Sequence, residues 1–327
     1  MDGIHTLWSA PRPSGQPDLP ALELLLLANS VLQWQRWNGR ALLYCDGVYA
    51  RYLDRLGLLA LWDSVDTATI ALASRLQADP RVFFPLGRTV AMMATPVPFV
   101  TLDCDLVVWR SLAGELLPGE IAFTHWESTR PSFWYPPPHL LCRPPGYQLD
   151  LSRNWALNAA NVSVTYFGSD EVRDAYTSEL IRFAAGNPRL PFPDGGATPE
   201  LLFAEQRLLP VIAHEHNVPV RTLIDGVSQG GPMVGDWDPQ GVADQPVGLT
   251  HGWYFKKSLP PGHPRRIRMM RELTDALLAS SPAVAGQLTR LGVIPDPDAP
   301  PSQADGPSPR PQADGPSPPP ADAWHAR

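Results

Sequence analysis

The stretch at residues 99–109, FVTLDCDLVVW, limits the possible folds of this chain more than any other feature. Its first half is a short apolar run that follows Pro96 and Pro98, a pattern typical of a buried strand in a parallel or mixed sheet. Two aspartates, Asp103 and Asp105, come directly after that run, and a second apolar run follows them. Because an unpaired buried carboxylate is costly, both acids are expected at the carboxyl end of the strand. An open α/β sheet places its ligand crevice at that end.

The two aspartates form an oxygen-rich pair that suits a hard divalent cation such as Mg²⁺ or Mn²⁺. Such cations commonly complete their coordination shell with phosphate groups of a substrate. The alternative is a strand that ends in a turn, with two solvated or hydrogen-bonded aspartates and no ligand. A bare Asp-x-Asp pattern occurs often by chance, so the apolar runs on both sides are what favours the metal site. Both interpretations stay open at this point.

Composition argues against several classes of protein. The chain has 327 residues, enough for one large domain or two small ones with a well-buried core. Its net charge of −7 provides no basic surface field for a nucleic acid. The three cysteines include no C-x-x-C pair, which argues against a disulfide framework or a zinc site and indicates a reducing compartment. No signal peptide and no apolar run of membrane-spanning length are visible, so we expect a cytoplasmic protein without a membrane span.

Proline is over-represented, with 39 residues, and many of them lie near the C-terminus. From residue 295 the sequence is dense in Pro, Ala, Asp and Ser, and QADGPSP occurs twice, at 303–309 and 312–318. Such a composition cannot bury enough apolar surface to offset the entropy of the chain. We therefore predict one folded domain over residues 1–294 and a disordered tail over residues 295–327.

Between the two ends, apolar periodicity and capping signals predict an alternation of strands and helices. Predicted strands lie at residues 4–8, 41–45, 121–126, 157–168 and 218–224, in the apolar run that ends at Asp103, and, for a short one, from residue 65. Predicted helices lie at residues 20–37, 48–56, 86–94, 169–185, 198–213 and 265–279. This order is typical of an α/β fold with a mixed, mostly parallel central sheet flanked by helices.

A long loop at residues 128–149 interrupts this alternation and carries four aromatic side chains, Phe133, Trp134, Tyr135 and Tyr147. Long loops without secondary structure are usually functional or disordered. Exposed aromatic rings on such a loop can stack on a sugar or another flat apolar group. They can equally pack the loop onto the domain, and both alternatives stay open.

Four motifs in this order resemble those of nucleotide-sugar-dependent glycosyltransferases of the GT-A fold, a Rossmann-like α/β architecture. The nearest likeness is to the glycogenin-like retaining family and to uncharacterised bacterial relatives of it, over roughly residues 4–280. The motifs are the strand end Asp103-Cys104-Asp105, the strand start Asn158-Ala159-Ala160, the helical pair Glu205-Gln206, and His251 with Lys257 after it. Asn161 is an alternative match for the asparagine of the second motif.

The resemblance implies a metal-dependent transfer of a sugar from a nucleotide diphosphate to an acceptor. It implies Asp103, Asp105 and His251 as the ligands of Mn²⁺ (or Mg²⁺), and Gln206 and Asn158 as the catalytic residues at the reacting sugar. A UDP-sugar is the expected donor, and the acceptor is unknown. The resemblance also implies that Lys257, the adjacent Lys256 and Asp103 contact the diphosphate, and that Asn161 contacts the donor sugar. Gly252 is expected at the diphosphate because a glycine lets the backbone approach a phosphate closely. Thr6, Trp8 and Ser9 are expected near the nucleotide, and Asp46 can either contact the base or cap a turn.

The residue types support this chemistry without the family. Two carboxylates and a neutral imidazole form a mixed oxygen and nitrogen site that suits Mn²⁺ better than Ca²⁺. A cation with a nearby lysine can neutralise a leaving diphosphate.

Two other functions stay open. One is a GT-A-shaped binding or scaffold protein without turnover, and the other is a metal-dependent phosphohydrolase or nucleotidyltransferase, which also uses paired aspartates. His125 and Glu127 end a predicted strand and can face an acceptor.

Overall fold

The computed structural model of the protein describes residues 1–12, 14–130, 132–193, 195–228, 248–252, 256 and 259–295. Within these residues the strands are β1 (Asp2–Leu7), β2 (Ala41–Cys45), β3 (Ser64–Asp66), β4 (Phe99–Leu102), β5 (Leu106–Val108), β6 (Ile121–Phe123), β7 (Trp126–Glu127), β8 (Ala159–Ala160), β9 (Val164–Phe167), β10 (Val220–Thr222), β11 (Val227–Ser228) and β12 (Leu249–His251). The helices are α1 (Ala21–Trp37), α2 (Gly47–Arg55), α3 (Leu86–Ala94), α4 (Asp170–Ala184), α5 (Pro199–Leu202), α6 (Leu208–Glu215), α7 (Pro264–Ser280) and α8 (Pro282–Arg290).

Seven of these strands form the central sheet, in the order β10-β6-β9-β4-β1-β2-β3. All neighbouring pairs are parallel except the two that involve β9, which is antiparallel to both β4 and β6. The predicted mixed, mostly parallel sheet is therefore confirmed. Two smaller sheets accompany it, β11-β7-β8 and the antiparallel pair β12-β5.

Helices cover both faces of the central sheet. Successive side chains of a strand point to opposite faces, and in β4 the neighbours Phe99 and Val100 belong to two different buried clusters. The cluster that contains Val100 includes α1, α2, α7 and α8, whereas the cluster that contains Phe99 includes α3, α4 and α6. This three-layer arrangement leaves the strand ends as the places where polar side chains can gather.

Two predicted strands are shorter than expected, and each is interrupted at polar residues. The single strand predicted at 157–168 is wrong, because β8 and β9 are separate. Between them the Asn161 side chain accepts from both the amide and the hydroxyl of Ser163, and short polar side chains compete with the backbone for hydrogen bonds in this way. The strand at 121–126 stops at Phe123, whereas the strand expected before the aspartates is β4, which ends at Leu102.

The helix predicted at 198–213 is present but irregular. It starts as α5, where the Thr198 hydroxyl accepts a hydrogen bond from the Leu201 amide at 3.2 Å. It continues through a π-helical turn, Phe203–Arg207, into α6. Such turns add one residue to a helix and are frequent at functional sites. This one carries Glu205 and Gln206, both part of a motif identified above.

The C-terminal part of the described chain contains α7, as expected, and also α8, which the sequence patterns did not predict. Residues Met1–Ile294 form one compact unit. The predicted disordered tail lies outside the described residues after Pro295, as does Lys257. Among the described helices, none combines the length and apolar character needed to cross a lipid bilayer.

Candidate functional site

The two aspartates lie in a tight turn between β4 and β5. The Asp103 amide donates to the Ser163 carbonyl at 2.9 Å, and the Leu106 amide donates to the Asp103 carbonyl at 3.0 Å. The turn lies beside the carboxyl end of β1, because the Cys104 thiol reaches the Thr6 carbonyl at 3.5 Å. Both acids therefore occupy the edge of the sheet at which the sequence placed them.

His251 reaches this turn through strand pairing. In the antiparallel pair of β12 and β5, His251 stands opposite Leu106, and the Gly252 amide donates to the Asp105 carbonyl at 2.7 Å. Its Nε2 lies 3.8 Å from Asp103 Oδ2 and 3.5 Å from Asp105 Oδ1. One ligand atom from each of the three side chains lies within 4.8 Å of the others. Residues far apart in sequence thus converge on one point, which we call the acid edge (Asp103, Asp105 and His251).

The donor atoms of the acid edge suit a divalent cation. Each residue has one polar atom held by the protein and a second that faces the common point. Asp103 Oδ1 accepts from Arg88, Asp105 Oδ2 accepts from Lys256 Nζ at 2.8 Å, and His251 Nδ1 lies 3.4 Å from Ser163 Oγ. Two carboxylate oxygens and one imidazole nitrogen remain, a set that fits Mn²⁺ or Mg²⁺.

The hydrogen bonds around Ser163 also fix the tautomer of His251. The Ser163 amide donates to Asn161 Oδ1 at 3.3 Å, which identifies that atom as the amide oxygen. The Ser163 hydroxyl donates to the same oxygen at 2.8 Å, so Ser163 Oγ is left to accept from His251 Nδ1–H. In the neutral imidazole, the form that can bind a cation, the lone pair is consequently on Nε2, the nitrogen that faces the two aspartates. Metal-binding histidines commonly use such a partner on the other ring nitrogen.

Neighbouring opposite charges at the acid edge offset the cost of burying ionised groups. Burial acts to raise the pKa of Asp105, but His251 and Lys256 outweigh it and hold that pKa well below its ordinary value. Burial acts to lower the pKa of His251, yet Asp105 and Asp103 raise it above its ordinary value. The site therefore keeps an ionised carboxylate in a buried position, which is the form that binds a cation.

Arg88, on α3, is a site residue that the sequence analysis missed. Its buried guanidinium contacts Asp103, lies 3.4 Å from Glu205 Oε1 and donates to the Val162 carbonyl at 3.1 Å. Burial raises the pKa of Glu205 to about 7, although Arg88 acts in the opposite direction. The available signal was a single cation within the otherwise uncharged helix at 86–94.

A second polar cluster continues from Ser163 toward the π-helical turn. Asn161 Nδ2 donates to Glu127 Oε1 at 2.7 Å. The other oxygen of Glu127 accepts from the Tyr135 hydroxyl at 2.5 Å, and that hydroxyl also contacts the side-chain amide of Gln206. Asn161, Glu127, Tyr135 and Gln206 therefore form one hydrogen-bonded chain. Asn158 precedes β8, and its catalytic role remains a prediction.

The aromatic residues of the loop at 128–149 divide between the two alternatives, packing onto the domain and exposure to solvent. Tyr135 is buried and packs the loop onto the domain, whereas Phe133 and Trp134 are 63% and 47% exposed. Near the loop, His125 is fully buried, 4.0 Å from Glu127 Oε1. Neither ring nitrogen of His125 has a hydrogen-bond partner among the residues that the structure describes.

The four residues expected near the nucleotide lie at the ends of β1 and β2. Asp46 Oδ1 caps α2 by accepting from the Val48 and Tyr49 amides, and Asp46 Oδ2 accepts from the Ser9 amide and hydroxyl at 2.7 and 2.6 Å. Asp46 therefore serves as a helix cap, and its contact with a base remains a prediction. The same holds for Ser9, for Thr6 beside Cys104, and for Trp8, which packs beside Gly87.

Gly252 has a packing reason to be glycine. A Cβ atom at this position would lie 2.2 Å from Leu26 Cδ1 and 3.2 Å from the Asp105 carbonyl. Close packing against α1 thus holds the end of β12 beside the turn, and the expected contact with a phosphate remains a prediction. Lys256 joins the acid edge through Asp105 and also lies 3.8 Å from Glu23 Oε1 on α1.

The sequence matches no family model and no curated protein. Among solved structures, the chain is similar to mouse xyloside xylosyltransferase 1 in its apo form, at 15% sequence identity and a TM-score of 0.39, over 76% of this chain and 97% of that one. It is also similar to the PaToxG glycosyltransferase, at 7% identity and a TM-score of 0.33, over 56% of this chain and 65% of that one. Membership of the glycogenin-like family remains a prediction.

Proposed function

We propose that this chain is a metal-dependent glycosyltransferase of the GT-A type, which transfers a sugar from a nucleotide diphosphate, expected to be a UDP-sugar, to an acceptor. The observation that carries the proposal is the convergence of Asp103, Asp105 and His251 within 4.8 Å at the carboxyl edge of the sheet. The three free cysteines, Cys45, Cys104 and Cys142, agree with the cytoplasmic location that forms part of this proposal.

The acid edge would hold Mn²⁺ or Mg²⁺ through Asp103 Oδ2, Asp105 Oδ1 and His251 Nε2. A bound divalent cation would neutralise charge on the diphosphate as it leaves. Lys256 is held beside Asp105 and supplies a further positive charge at this edge. Gly252 and Lys257 complete the proposed diphosphate contacts, the latter on sequence grounds alone.

The polar chain that ends at Gln206 is the proposed sugar side of the site. Asn161 and Gln206 belong to this chain, and Asn158 lies three residues before Asn161 in sequence. Gln206 is the proposed catalytic residue closest to the reacting sugar, with Asn158 as its companion. Thr6, Trp8, Ser9 and Asp46 form the proposed nucleotide side, beside the turn that contains the aspartates.

Calorimetric titration of UDP and UDP-sugars, with and without Mn²⁺, tests this proposal. Wild type should bind nucleotide only when Mn²⁺ is present. Asp105→Ala should reduce that affinity by at least about 100-fold, because it removes a ligand and the carboxylate that holds Lys256 at 2.8 Å. Asp79→Ala is the matched control, since Asp79 pairs with the exposed Arg81 away from the acid edge.

The product released during turnover separates the proposed function from its rivals. A glycosyltransferase releases a nucleoside diphosphate from the donor, whereas a phosphohydrolase or nucleotidyltransferase releases phosphate or pyrophosphate. A binding protein releases neither on prolonged incubation with donor and candidate acceptors. Nucleotide binding that is independent of Mn²⁺, or equal in Asp105→Ala, would contradict the proposal.

A further inference from the structure

The Tyr135 hydroxyl lies between two groups that both present an oxygen to it. One is Glu127 Oε2 at 2.5 Å, and the other is the amide of Gln206, placed with Oε1 toward the phenol. A phenol hydroxyl has one hydrogen and can donate only once. A carboxylate is the stronger acceptor of the two, because hydrogen bonds to ionised groups are shorter and stronger. The contact with Gln206 is therefore favourable only if the amide donates.

The two ends of a side-chain amide are assigned from their hydrogen-bond partners. We infer that Tyr135 and Glu127 hold the Gln206 amide with Nε2–H toward the phenol, which leaves Oε1 as the atom that a bound sugar meets. Tyr135 and Glu127 are then positioning residues for the proposed catalytic glutamine. This inference rests on the function proposed above for Gln206.

The rest of the chain of hydrogen bonds points in the same direction. Asn161 Oδ1 is fixed by two donors from Ser163, so Asn161 Nδ2 must face Glu127 Oε1, which it reaches at 2.7 Å. Glu127 thus accepts at both oxygens, from Asn161 on one side and from Tyr135 on the other. Because the single hydroxyl hydrogen of Tyr135 is donated in the hydrogen bond to Glu127, the Tyr135 oxygen can only accept a hydrogen bond from Gln206.

Both ends of this link are held in place. The Tyr135 amide donates to the Ser132 hydroxyl at 3.1 Å, in a turn that leaves the Tyr135 side chain buried. Gln206 lies in the π-helical turn, which directs its side chain out of the regular helical register. The loop and the π-helical turn also meet through Arg207 Nη1, which donates to the Pro136 carbonyl at 3.1 Å. The Tyr135 hydroxyl is the group of the loop that contacts the Gln206 amide, and removing it frees that amide to rotate.

Tyr135→Phe tests the inference, and Tyr147→Phe is its matched control. Tyr147 lies on the same loop, and its hydroxyl donates to a different acid, Glu179 Oε1, at 2.5 Å. We expect Tyr135→Phe to lower kcat for release of nucleoside diphosphate from the donor by about 10- to 100-fold, since the loss is one of orientation. The donor KM should change by less than about threefold, and Tyr147→Phe should leave both constants near the wild-type values.

A spectroscopic measurement follows the amide itself, independently of turnover. In protein labelled with ¹⁵N at glutamine, the NH₂ signals of Gln206 are assigned by their loss in Gln206→Glu. Tyr135→Phe should move these signals and accelerate their exchange with water, because Nε2–H loses its acceptor. Tyr147→Phe should leave them unchanged. Glu127→Gln preserves the shape of the side chain and should move the same signals, which keeps the test valid if Tyr135→Phe does not fold.

The outcomes separate this inference from the proposed function. If wild type releases no nucleoside diphosphate, the proposed function fails while the amide signals still decide the orientation of Gln206. If wild type turns over and Tyr135→Phe matches it in kcat, the inference is wrong and the proposed function stands. A lower kcat with unmoved Gln206 signals would also overturn the inference, because Tyr135 would then act by another route.

Discussion

Two regions of this protein bury histidine in opposite ways. In the core histidine cluster (His5, Ser30 and Trp62), His5 Nε2 lies 2.9 Å from Ser30 Oγ, and Trp62 Nε1–H donates to His5 Nδ1 at 3.3 Å. An indole can only donate, so His5 Nδ1 accepts and His5 Nε2 carries the hydrogen. Burial lowers the pKa of His5 to about 3. Both ring nitrogens have partners, and none is left for a ligand.

The acid edge buries His251 almost as deeply, but there the acids raise its pKa and only one ring nitrogen has a neutral protein partner. The other nitrogen and one oxygen from each aspartate face the same point. The comparison teaches that burial of a polar side chain does not by itself indicate a site. What distinguishes the acid edge is that three side chains from different elements each keep one polar atom directed at a common point.

The largest expected effect comes from removing the charge that balances the acid edge. Arg88→Met should lower the free energy of unfolding by about 3–5 kcal/mol, because it leaves the buried Glu205 and the half-buried Asp103 without their cation. Denaturant titration at pH 7 measures this loss. The core histidine cluster contains no such charge, so the effect is specific to the site region.

The matched control for Arg88→Met is Arg81→Met, which breaks the exposed pair between Arg81 and Asp79. Exposed ion pairs contribute little, so the control should lose less than about 1 kcal/mol. Equal losses in the two variants would mean that the acid edge is solvated, and the contrast between the two regions would then disappear.

The buried His5 of the core histidine cluster should make the free energy of unfolding depend on pH. The pKa of His5 is about 3 in the folded protein and near the ordinary value of 6.5 in the unfolded chain, so the unfolded chain binds the proton more readily. Stability from this source is complete above pH 6.5 and is lost as the pH falls toward 3. Between pH 7 and pH 4, wild type should lose about 3 kcal/mol more than His5→Phe, measured by denaturant titration.

Other groups also titrate between pH 7 and pH 4. The quantity to compare is therefore the loss of unfolding free energy in wild type minus that in His5→Phe. If the pH dependence of His5→Phe follows that of wild type, His5 is not held neutral by burial, and the first half of the comparison is wrong.

A smaller effect is expected at Gly252, where packing and phosphate binding predict different results. Gly252→Ala should lower the free energy of unfolding by about 1–3 kcal/mol without any nucleotide, since the new Cβ would lie 2.2 Å from Leu26 Cδ1. Gly262→Ala, at a position with nothing within 4 Å of the new atom, should be neutral or stabilise by up to about 1 kcal/mol. Unchanged stability in Gly252→Ala would favour a role limited to phosphate approach.

Much of the fold could be predicted because its signals are local. The apolar run before Asp103 predicted β4, and the alternation of strands and helices predicted the sheet. The helix predicted from residue 169 is α4, where the Ser169 hydroxyl accepts from the Val172 amide. The convergence of the two aspartates with His251 was also anticipated, although it needed the resemblance to join residues so distant in sequence.

The remaining site residues could not be predicted, because their partners lie far away in sequence and no pattern joins them. Tyr135 meets Gln206 across 71 residues, and Arg88 meets Asp103 from a neighbouring helix. The predicted single strand at 157–168 failed for a related reason. Its apolar content favours a strand, but β8 and β9 separate where the side chains of Asn161 and Ser163 make tertiary contacts with Glu127 and His251.

The smallest expected effect comes from comparing two serines, Ser163 and Ser30, that each contact a buried histidine. Ser163→Ala should weaken Mn²⁺ binding about tenfold, or about 1.4 kcal/mol, because His251 loses the acceptor that fixes its tautomer. Ser30→Ala removes the corresponding partner of His5 and should lower stability without changing Mn²⁺ affinity, measured by calorimetry. Equal Mn²⁺ affinity in wild type and Ser163→Ala, or an equal weakening by Ser30→Ala, would show that the two histidines do not differ as described.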